Sequence, residues 1–337
     1  MHNKSSEMNA IEIAHLGGPE ALRLVRRPTP QPVEDQVLVK IHAAGVNRVD
    51  VFQRTGLYFV PEGTTDIPGV EFSGQVIQCG PLVSRYKIGD RVCGIVKGGG
   101  YAEFCAVPQG QVMPIPDGYD YLRAAALPET FTTVWAAIYG QGRLSPGETM
   151  LVHGGSSGIG TTAIMLAKAL GAGDIYATAG SAQKCDVCLK LGAKRAINYK
   201  TEDFVDVVRE ETAGRGVDVV LDMVAGDYVA KNLSLLADDG REVLVGRMSQ
   251  DLDVDFNVKT VMYKRLHITG VSLRGQSVER KTALVAQVER YAWPLLSKRI
   301  IAPIIDSVFD LAQACDAHQL LESSQHIGKI MLCVSND

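Results

Sequence analysis

A glycine- and serine-rich turn between a predicted strand and a predicted helix constrains this chain more than any other feature. The apolar run Met150 to Val152 reads as a buried strand, and residues 161–170 combine strong helix formers with an apolar stripe. Strand, glycine turn and helix open a dinucleotide-binding βαβ unit, because the helix N–H groups meet a pyrophosphate that glycine lets come close. The turn departs from G-x-G-x-x-G, with Ser156 at its first glycine position. An ordinary tight turn before a helix is therefore the competing interpretation.

Strands and helices alternate regularly after this turn. We predict strands at 150–153, 175–179, 195–198, 217–222 and 241–246, separated by helices at 160–171, 181–191, 201–213 and 226–236. Such a run predicts right-handed crossovers and a doubly wound parallel sheet that is covered on both faces. Two further helices are expected just before it, at 121–127 and 130–138, on either side of Pro128.

Both ends of the chain are β-rich. Residues 9–120 contain alternating segments, such as 37–44 and 72–77, that are punctuated by prolines and glycines. After about residue 265 we predict a strand at 266–271, a helix around 278–297, and β-like segments at 304–309 and 330–334. The fold class is therefore α/β, with a dinucleotide-binding domain at 126–265 inserted into a β-rich domain built from 1–125 and 266–337.

Composition and charge argue against several classes of binding partner. With 337 residues the chain can form two domains with sizeable cores. The formal charge of −4 argues against nucleic-acid binding, and no apolar run approaches the ~20 residues of a membrane span. Seven scattered cysteines favour a reducing compartment. We expect a cytoplasmic protein without nucleic-acid or membrane partners.

The end of the second strand of the unit distinguishes NADH from NADPH. An acid about 20 residues after the glycines binds the 2′-hydroxyl of NAD. Here the strand ends in Gly180-Ser-Ala-Gln-Lys184, without a carboxylate. Ser181 can donate to a 2′-phosphate, Lys184 adds positive charge, and the Tyr199 hydroxyl can reach the same group. The alternative makes Ser181 a helix N-cap and Lys184 a solvated residue. We predict NADPH as cofactor.

Several motifs together resemble a known family. They are Ala43-Ala-Gly-Val-Asn-Arg-Val-Asp50, Ile67-Pro-Gly-Val-Glu-Phe-Ser-Gly74, Val83-x5-Gly-Asp-Arg-Val92, the glycine turn, Gly180–Lys184 and Ile327-Gly-Lys-Ile330. From Met8 onward the chain is similar to the zinc-free quinone oxidoreductase (ζ-crystallin-like) branch of the medium-chain dehydrogenase/reductase superfamily. Segments 54–58 and 198–200 resemble the inducible, cell-death-linked members. The resemblance implies a GroES-like β-rich catalytic domain, a Rossmann domain with NADPH in the cleft between them, and usually a homodimer.

The resemblance also indicates whether this chain binds a metal. Zinc-dependent relatives carry a cysteine where this chain has Asn47, and a His-Glu pair where it has Val70-Glu71. They also carry a four-cysteine lobe in a region where only Cys93 and Cys105 occur here. Zinc takes at least three protein ligands from cysteine, histidine or carboxylate. We therefore predict no metal.

The resemblance further implies a set of site residues. Asn47 and Tyr58 are the catalytic candidates, with Asn47 near the nicotinamide ribose and Tyr58 lining the substrate cleft. Phe52 stands where many relatives have a tyrosine, so that hydroxyl is missing. The implied cofactor contacts are Asn47, Thr133, Ser157, Gly158, Ile159, Gly180, Ser181, Lys184, Tyr199, Met223, Gly246, Arg247, Met248 and Leu273. Thr133 bonded to its own helix, Met248 in the core and Tyr58 in an exposed loop are the competing readings.

The predicted function is NADPH-dependent reduction of quinones, by hydride or electron transfer and without metal. The alternatives are reduction of alkenal or enone double bonds, and a weakly active NADPH-binding protein with a structural or sensory role. A short-chain dehydrogenase is rejected because no tyrosine has a lysine four residues later. Cys185-x-x-Cys188 is interpreted as a coincidence of helical spacing, with Cys188 facing the core, rather than a redox motif.

Overall fold

The computed structural model describes residues 7–58, 60, 63–249 and 251–335. The chain forms two compact units. The first comprises Met1–Glu129, Leu273–Lys298 and Pro303–Asp337, and the second comprises Thr130–Ser272 and Arg299–Ala302. The sequence placed the second boundary at 265/266, seven residues earlier, because it grouped the strand after Leu266 with the β-rich tail.

The chain forms the following strands and helices. The strands are β1 (Glu7–Ile13), β2 (Leu22–Pro28), β3 (Gln36–Val46), β4 (Glu71–Cys79), β5 (Arg91–Ile95), β6 (Phe104–Pro108), β7 (Val112–Pro114), β8 (Met150–Val152), β9 (Ile175–Ala179), β10 (Arg195–Asn198), β11 (Val217–Asp222), β12 (Leu236–Leu244), β13 (His267–Gly270), β14 (Ile305–Asp310) and β15 (Lys329–Cys333). The helices are α1 (Arg48–Arg54), α2 (Tyr121–Ala125), α3 (Pro128–Val134), α4 (Gly158–Ala169), α5 (Ala182–Leu191), α6 (Phe204–Glu211), α7 (Asp227–Leu235), α8 (Val258–Lys264), α9 (Val278–Tyr291), α10 (Trp293–Ser297) and α11 (Ala314–Ser323).

The first unit is built on a mainly antiparallel sheet with strand order β14-β15-β3-β4-β5-β7, in which β6 also pairs with β3. Only β14 and β15 pair in parallel. The long strand β3 supplies Val37, Val39 and Ile41 to a core that also contains Phe72 and Val92, all fully buried. β-branched side chains of this kind pack well on a pleated surface.

The second unit is a six-stranded sheet with strand order β10-β9-β8-β11-β12-β13. Every neighbouring pair is parallel. The strand order reverses at β8. From β8 the chain continues through β9 to β10 at one edge of the sheet, and it then returns to the other side of β8 and continues through β11 and β12 to β13. Ligands of open parallel sheets bind outside the carboxyl ends of the strands at such a reversal. The predicted α/β fold class, with a β-rich and a parallel-sheet part, is confirmed.

Three departures from the predicted elements have identifiable causes. The helix predicted at 278–297 is two helices, α9 and α10, because Pro294 lacks the N–H that would continue the hydrogen-bond ladder. α8 was not predicted, and it contains no buried residue that would give it an apolar stripe. β13 pairs with β12, which is why 266–272 groups with the second unit. Among the described residues, no helix combines the length and the apolar character needed to cross a membrane.

Candidate active site

The glycine turn lies at the carboxyl end of β8, at the strand reversal. Ser157 caps α4, and its Oγ accepts a hydrogen bond from the N–H of Gly160 at 3.0 Å. Gly158 and Ile159 form the first turn of the helix, where backbone N–H groups have no carbonyl partner within the helix. A Cβ on Gly160 would lie 2.3 Å from the carbonyl oxygen of Gly154, so only glycine lets the helix start this close to the turn. The arrangement presents helix N–H groups to an anion.

The residues predicted around the 2′-phosphate meet at the ends of β9 and β10. Ser181 caps α5 by accepting the N–H of Lys184 at 3.3 Å, which leaves its own O–H for a ligand. A Cβ on Gly180 would lie 2.6 Å from the Tyr199 hydroxyl, which places this phenol beside the strand end. Ser181 is therefore an N-cap, as the competing interpretation held, and this geometry leaves the ligand role open.

Met223 and the segment Gly246 to Met248 lie at the ends of the next two strands. Met223 follows β11 directly, and its Sδ is 3.4 Å from the Ser157 hydroxyl. Gly246 follows β12 by two residues and lies beside Met223. The N–H of Met248 donates to the carbonyl of Val224, and the Met248 side chain is 49% exposed. Met248 is therefore not core filler. These residues and the glycine turn share one edge of the sheet.

A buried polar network lies under this edge. His153 bonds through Nδ1 to Thr178 Oγ1 at 3.1 Å and through Nε2 to Asn232 Oδ1 at 2.7 Å. The amide of Asn232 donates to Asp222 at 3.2 Å and to Glu242 at 2.8 Å. Burial lowers the pKa of His153 and raises that of Glu242 to about 8, with Asp222 adding to the rise. His153 is thus neutral and structural.

Three other predicted residues divide between the units. Thr133 is buried in α3 of the second unit, whereas Tyr58 and Leu273 belong to the first. Tyr58 follows α1, and its ring centroid lies 5.4 Å from the guanidinium of Arg274. Arg274 is in turn held by Gln53 Oε1 at 2.7 Å and by the carbonyl of Lys97. Tyr58 is therefore half-buried against an arginine rather than a free loop side chain.

Asn47 is the centre of a second network, in the first unit. Its Nδ2 donates to Glu71 Oε1 at 2.8 Å and to the carbonyl of Gly45 at 3.2 Å, and its Oδ1 accepts from Lys329 Nζ at 2.7 Å. Lys329 Nζ also lies 2.6 Å from Glu71 Oε1, and Glu71 Oε2 accepts the N–H of Glu129 at 2.8 Å. Glu71 is fully buried and Lys329 is 5% exposed.

Glu71 and Lys329 were quoted in motifs but given no role in the sequence interpretation. The signal was present, since each is a charged residue beside apolar neighbours at the start of a predicted buried segment. A charge in such a place needs a partner, because an unpaired buried charge is very costly. Their pairing across 258 positions was not readable from the sequence. Three motifs thus converge on Asn47: the segments at 43–50, at 67–74 and at 327–330.

Zinc does not fit this network. The position of the expected cysteine ligand is Asn47, that of the histidine is Val70, and the Glu71 carboxylate is already paired with an ammonium group. Within 7–58, 60, 63–249 and 251–335, no group of three or more metal-ligating side chains comes together. Burial also raises the pKa of the Cys93 and Cys105 thiols, which disfavours the thiolate form that zinc requires.

Comparison with known proteins agrees with this architecture. A sequence profile described as "Alcohol dehydrogenase GroES-like domain" matches residues 33–117, and one described as "Zinc-binding dehydrogenase" matches 158–289. Quinone oxidoreductase of Rattus norvegicus is 33% identical over 331 residues, covering 96% of this chain and 97% of its own.

Two solved structures extend the likeness. Escherichia coli quinone oxidoreductase complexed with NADPH has a TM-score of 0.86 and 29% identity, covering 97% of this chain and 99% of its own. An NAD-dependent alcohol dehydrogenase has a TM-score of 0.86 and 28% identity, covering 97% and 100%. Full-length identity above 30%, the two matching profiles and the shared fold lead to one conclusion: the chain belongs to the medium-chain dehydrogenase/reductase superfamily of oxidoreductases, in its quinone oxidoreductase (ζ-crystallin-like) branch.

Proposed function

We propose that this protein is a reductase that uses NADPH, without a metal, to reduce quinones. The observation that carries the proposal is the corner formed by Ser181, Lys184 and Tyr199 at the ends of β9 and β10. Ser181 and Tyr199 bring two hydroxyl groups to these strand ends, Lys184 lies in the first turn of α5, and the segment 180–184 contains no carboxylate to repel a phosphate. The Escherichia coli relative adds support, since its solved structure is a complex with NADPH.

The bound nicotinamide would supply the hydride, and the protein supplies binding and orientation. The N–H groups of Gly158 and Ile159 bind the pyrophosphate at the start of α4. Met223, Gly246, Arg247 and Met248 support the nicotinamide end, to which Thr133, Leu273 and Asn47 belong by resemblance. Tyr58 lines the acceptor side, where an electron-poor quinone needs no Lewis acid to accept hydride.

Turnover tests the substrate class. NADPH oxidation is followed by the loss of nicotinamide absorbance with a naphthoquinone, an ortho-quinone and an alkenal as acceptors. We expect the quinones to be reduced fastest. Faster reduction of the alkenal would favour the double-bond reductase, for which a conjugated carbonyl is the acceptor. Tight NADPH binding without turnover of any acceptor would reject the enzyme in favour of an NADPH-binding protein, a result that the missing hydroxyl at Phe52 makes worth checking.

Lys184→Ala tests the cofactor. Loss of a hydrogen bond to a charged phosphate is expected to weaken NADPH by about 1.5–3 kcal/mol and to leave NADH almost unchanged. Lys190→Ala, in the last turn of the same helix, is the matched control and should change neither affinity. Equal losses for NADPH and NADH in Lys184→Ala would contradict the assignment. The measurement must include NADH, because one structural relative is an NAD-dependent enzyme.

We also propose that the protein is a homodimer formed through the second unit. β13 is an edge strand of the parallel sheet, so one side of its backbone has no strand partner among the described residues. Apolar side chains are exposed beside it: Val258 61%, Met262 67%, Tyr263 74% and Ile268 39%. An exposed edge strand with an apolar patch favours pairing with another chain. Light scattering should show a dimer for the wild type and a monomer for Met262→Glu/Ile268→Lys. A monomeric wild type would reject this proposal.

A further inference from the structure

A cavity of about 520 Å³ lies in the first unit, to which all of its lining residues belong. Sites for small organic ligands have volumes of about 300–1,000 Å³ and combine an apolar lining with a few polar groups. None of the residues assigned above to the cofactor or to the acceptor lines this cavity. Its apolar lining comes from Met8, Ile67, Val96, Phe104, Val107 and Val278.

The strand β6 lines the cavity with all five of its residues. At one end of this strand the carbonyl of Glu103 accepts the N–H of Ile41 in β3 at 2.8 Å. At the other end the N–H of Gln109 donates to the carbonyl of Asp35 at 2.9 Å. Because bonding groups alternate along an antiparallel pair, the N–H and C=O of Ala106 point away from β3. Within the described part of the chain β6 pairs with β3 alone, so Ala106 offers a donor and an acceptor to the cavity.

Gln111 adds an amide that the protein itself does not use. The side chain is 3% exposed and lines the cavity. None of the residues 7–58, 60, 63–249 and 251–335 forms a hydrogen bond with its amide. Buried polar groups are costly without a partner, and nearly all of them are paired in native proteins. The unused amide therefore indicates a polar partner that enters the cavity from outside the chain.

Lys97 gives the cavity a positive charge. The segment that it begins lies beside β6, since a Cβ on Gly99 would be 3.9 Å from the Cβ of Cys105. Lys97 is half-buried, and no described carboxylate forms an ion pair with it. The other cation of the lining, Arg27, is already bonded to Asp66 at 2.6 Å. Because the described lining contains no acidic residue, Lys97 leaves the cavity with a charge that favours an anionic group.

We propose that this cavity binds a short extended peptide that ends in a free carboxylate. The N–H and C=O of one ligand residue pair with the C=O and N–H of Ala106, as when a strand is added to the edge of a sheet. Gln111 bonds to a further amide of the ligand, and the ligand carboxylate lies at Lys97. At about 3.3 Å per extended residue, the five residues of β6 give room beside them for a ligand of a few residues.

The first test uses the full chain and the probe N-acetyl-valyl-leucine, with binding measured by isothermal titration calorimetry. We expect a Kd below about 1 mM. The matched amide, N-acetyl-valyl-leucinamide, lacks the carboxylate and should bind about 5–10-fold more weakly. An ester analogue, with oxygen in place of the valyl N–H, loses the donor to Ala106 and should bind about 3–10-fold more weakly. No binding of the acid at about 10 mM, or equal affinities of the three probes, would reject the proposal.

Lys97→Met locates the carboxylate. It should weaken the acid to the affinity of the amide, and it should leave the amide within about twofold of its affinity for the wild type. Lys87→Met is the matched control, because Lys87 is an exposed lysine of the same unit that does not line the cavity, and it should change neither affinity. An unchanged affinity for the acid in Lys97→Met, or an equal loss in Lys87→Met, would overturn the assignment.

Gln111→Leu separates ligand binding from folding. It should weaken the acid about 3–10-fold, and it should leave the urea midpoint of unfolding unchanged or higher, because the amide has no partner inside the protein. An unchanged affinity would show that the amide does not meet the ligand, and a lower midpoint would show that it serves the fold; either result contradicts the proposal. These measurements involve neither NADPH nor a quinone, so their outcome does not depend on the proposed activity.

Discussion

Glu71 in the first unit and Glu242 in the second are both fully buried carboxyl groups on β-strands, but they are neutralised differently. Glu71 pairs with the Lys329 ammonium at 2.6 Å. Glu242 lies beside Asp222 and receives the Asn232 amide at 2.8 Å, and none of its described contacts is with a basic side chain. Its pKa is raised to about 8 by burial, so Glu242 is mainly protonated at neutral pH.

The difference shows two ways in which a polar network can accommodate a buried carboxyl group. A fixed ammonium imposes a direction on its neighbours, because the positions of plus and minus determine which amide atom faces which partner. A protonated carboxyl imposes no such direction, because it can both donate and accept a hydrogen bond. The first arrangement suits the orientation of Asn47. The second suits the support of a backbone turn, here through Asn232 and His153 below the glycine turn.

The largest expected effect comes from breaking the ion pair on one side. Lys329→Met leaves Glu71 buried without a counter-ion, and we expect a loss of about 3–5 kcal/mol in unfolding free energy at neutral pH. Adding Glu71→Gln should restore most of it, because no charge is then left unpaired. Urea unfolding of the two variants gives the comparison. A loss below about 1 kcal/mol for Lys329→Met would mean that Glu71 is not held as a buried charge.

The Glu242 site is expected to respond to pH. The folded-state pKa of Glu242, about 8, lies above its ordinary value of 4.5, so the folded protein binds the extra proton. Its stabilising contribution is complete below pH 4.5 and is lost as the pH rises through 8. Glu242→Gln permanently mimics the protonated form. Its unfolding free energy should therefore fall by about 2–4 kcal/mol less than that of the wild type as the pH rises.

Unfolding free energies at a series of pH values check this expectation. Glu210→Gln, an exposed acid in the same unit, is the control and should change stability by less than about 0.5 kcal/mol. Parallel pH curves for the wild type and Glu242→Gln would show that Glu242 is ionised in the folded protein, and the contrast with Glu71 would disappear.

The smallest effect is expected at an exposed ion pair with the same separation. Arg27 Nη2 and Asp66 Oδ1 are 2.6 Å apart, as Lys329 and Glu71 are, but the two side chains are 30% and 67% exposed. Asp66→Asn should cost about 0–1 kcal/mol at low salt and less in high salt. The loss in Lys329→Met should hardly depend on salt. Similar salt dependence of both losses would indicate that water reaches the buried pair.

Much of the fold was predictable because it is local. Each strand and helix of the parallel-sheet unit up to β11 was anticipated within a few residues, since apolar runs, serine caps and glycine ends mark them in the sequence. α8 was not, because it buries nothing, and the break between α9 and α10 was passed over despite Pro294. The grouping of β13 with the second unit depends on strand pairing, which has no local signature.

The candidate site divides in the same way. The glycine turn and the acid-free segment 180–184 could be recognised because a phosphate site is made from consecutive residues at a strand end. Arg274 beside Tyr58, and Lys329 beside Glu71, could not be paired from the sequence, because their partners are 216 and 258 positions away. The roles of the predicted site residues stay predictions until ligand binding is measured.

The sequence by itself determined the class of fold and the family, and it predicted where a dinucleotide phosphate would bind, because periodicity, caps and glycine turns are properties of neighbouring residues. The tertiary structure alone decided how the buried charges are balanced. Whether a carboxyl keeps its charge or takes up a proton depends on which side chain the fold brings within about 3 Å, since electrostatic energies are large where water is excluded. For Glu71 that neighbour is an ammonium, and for Glu242 it is another acid.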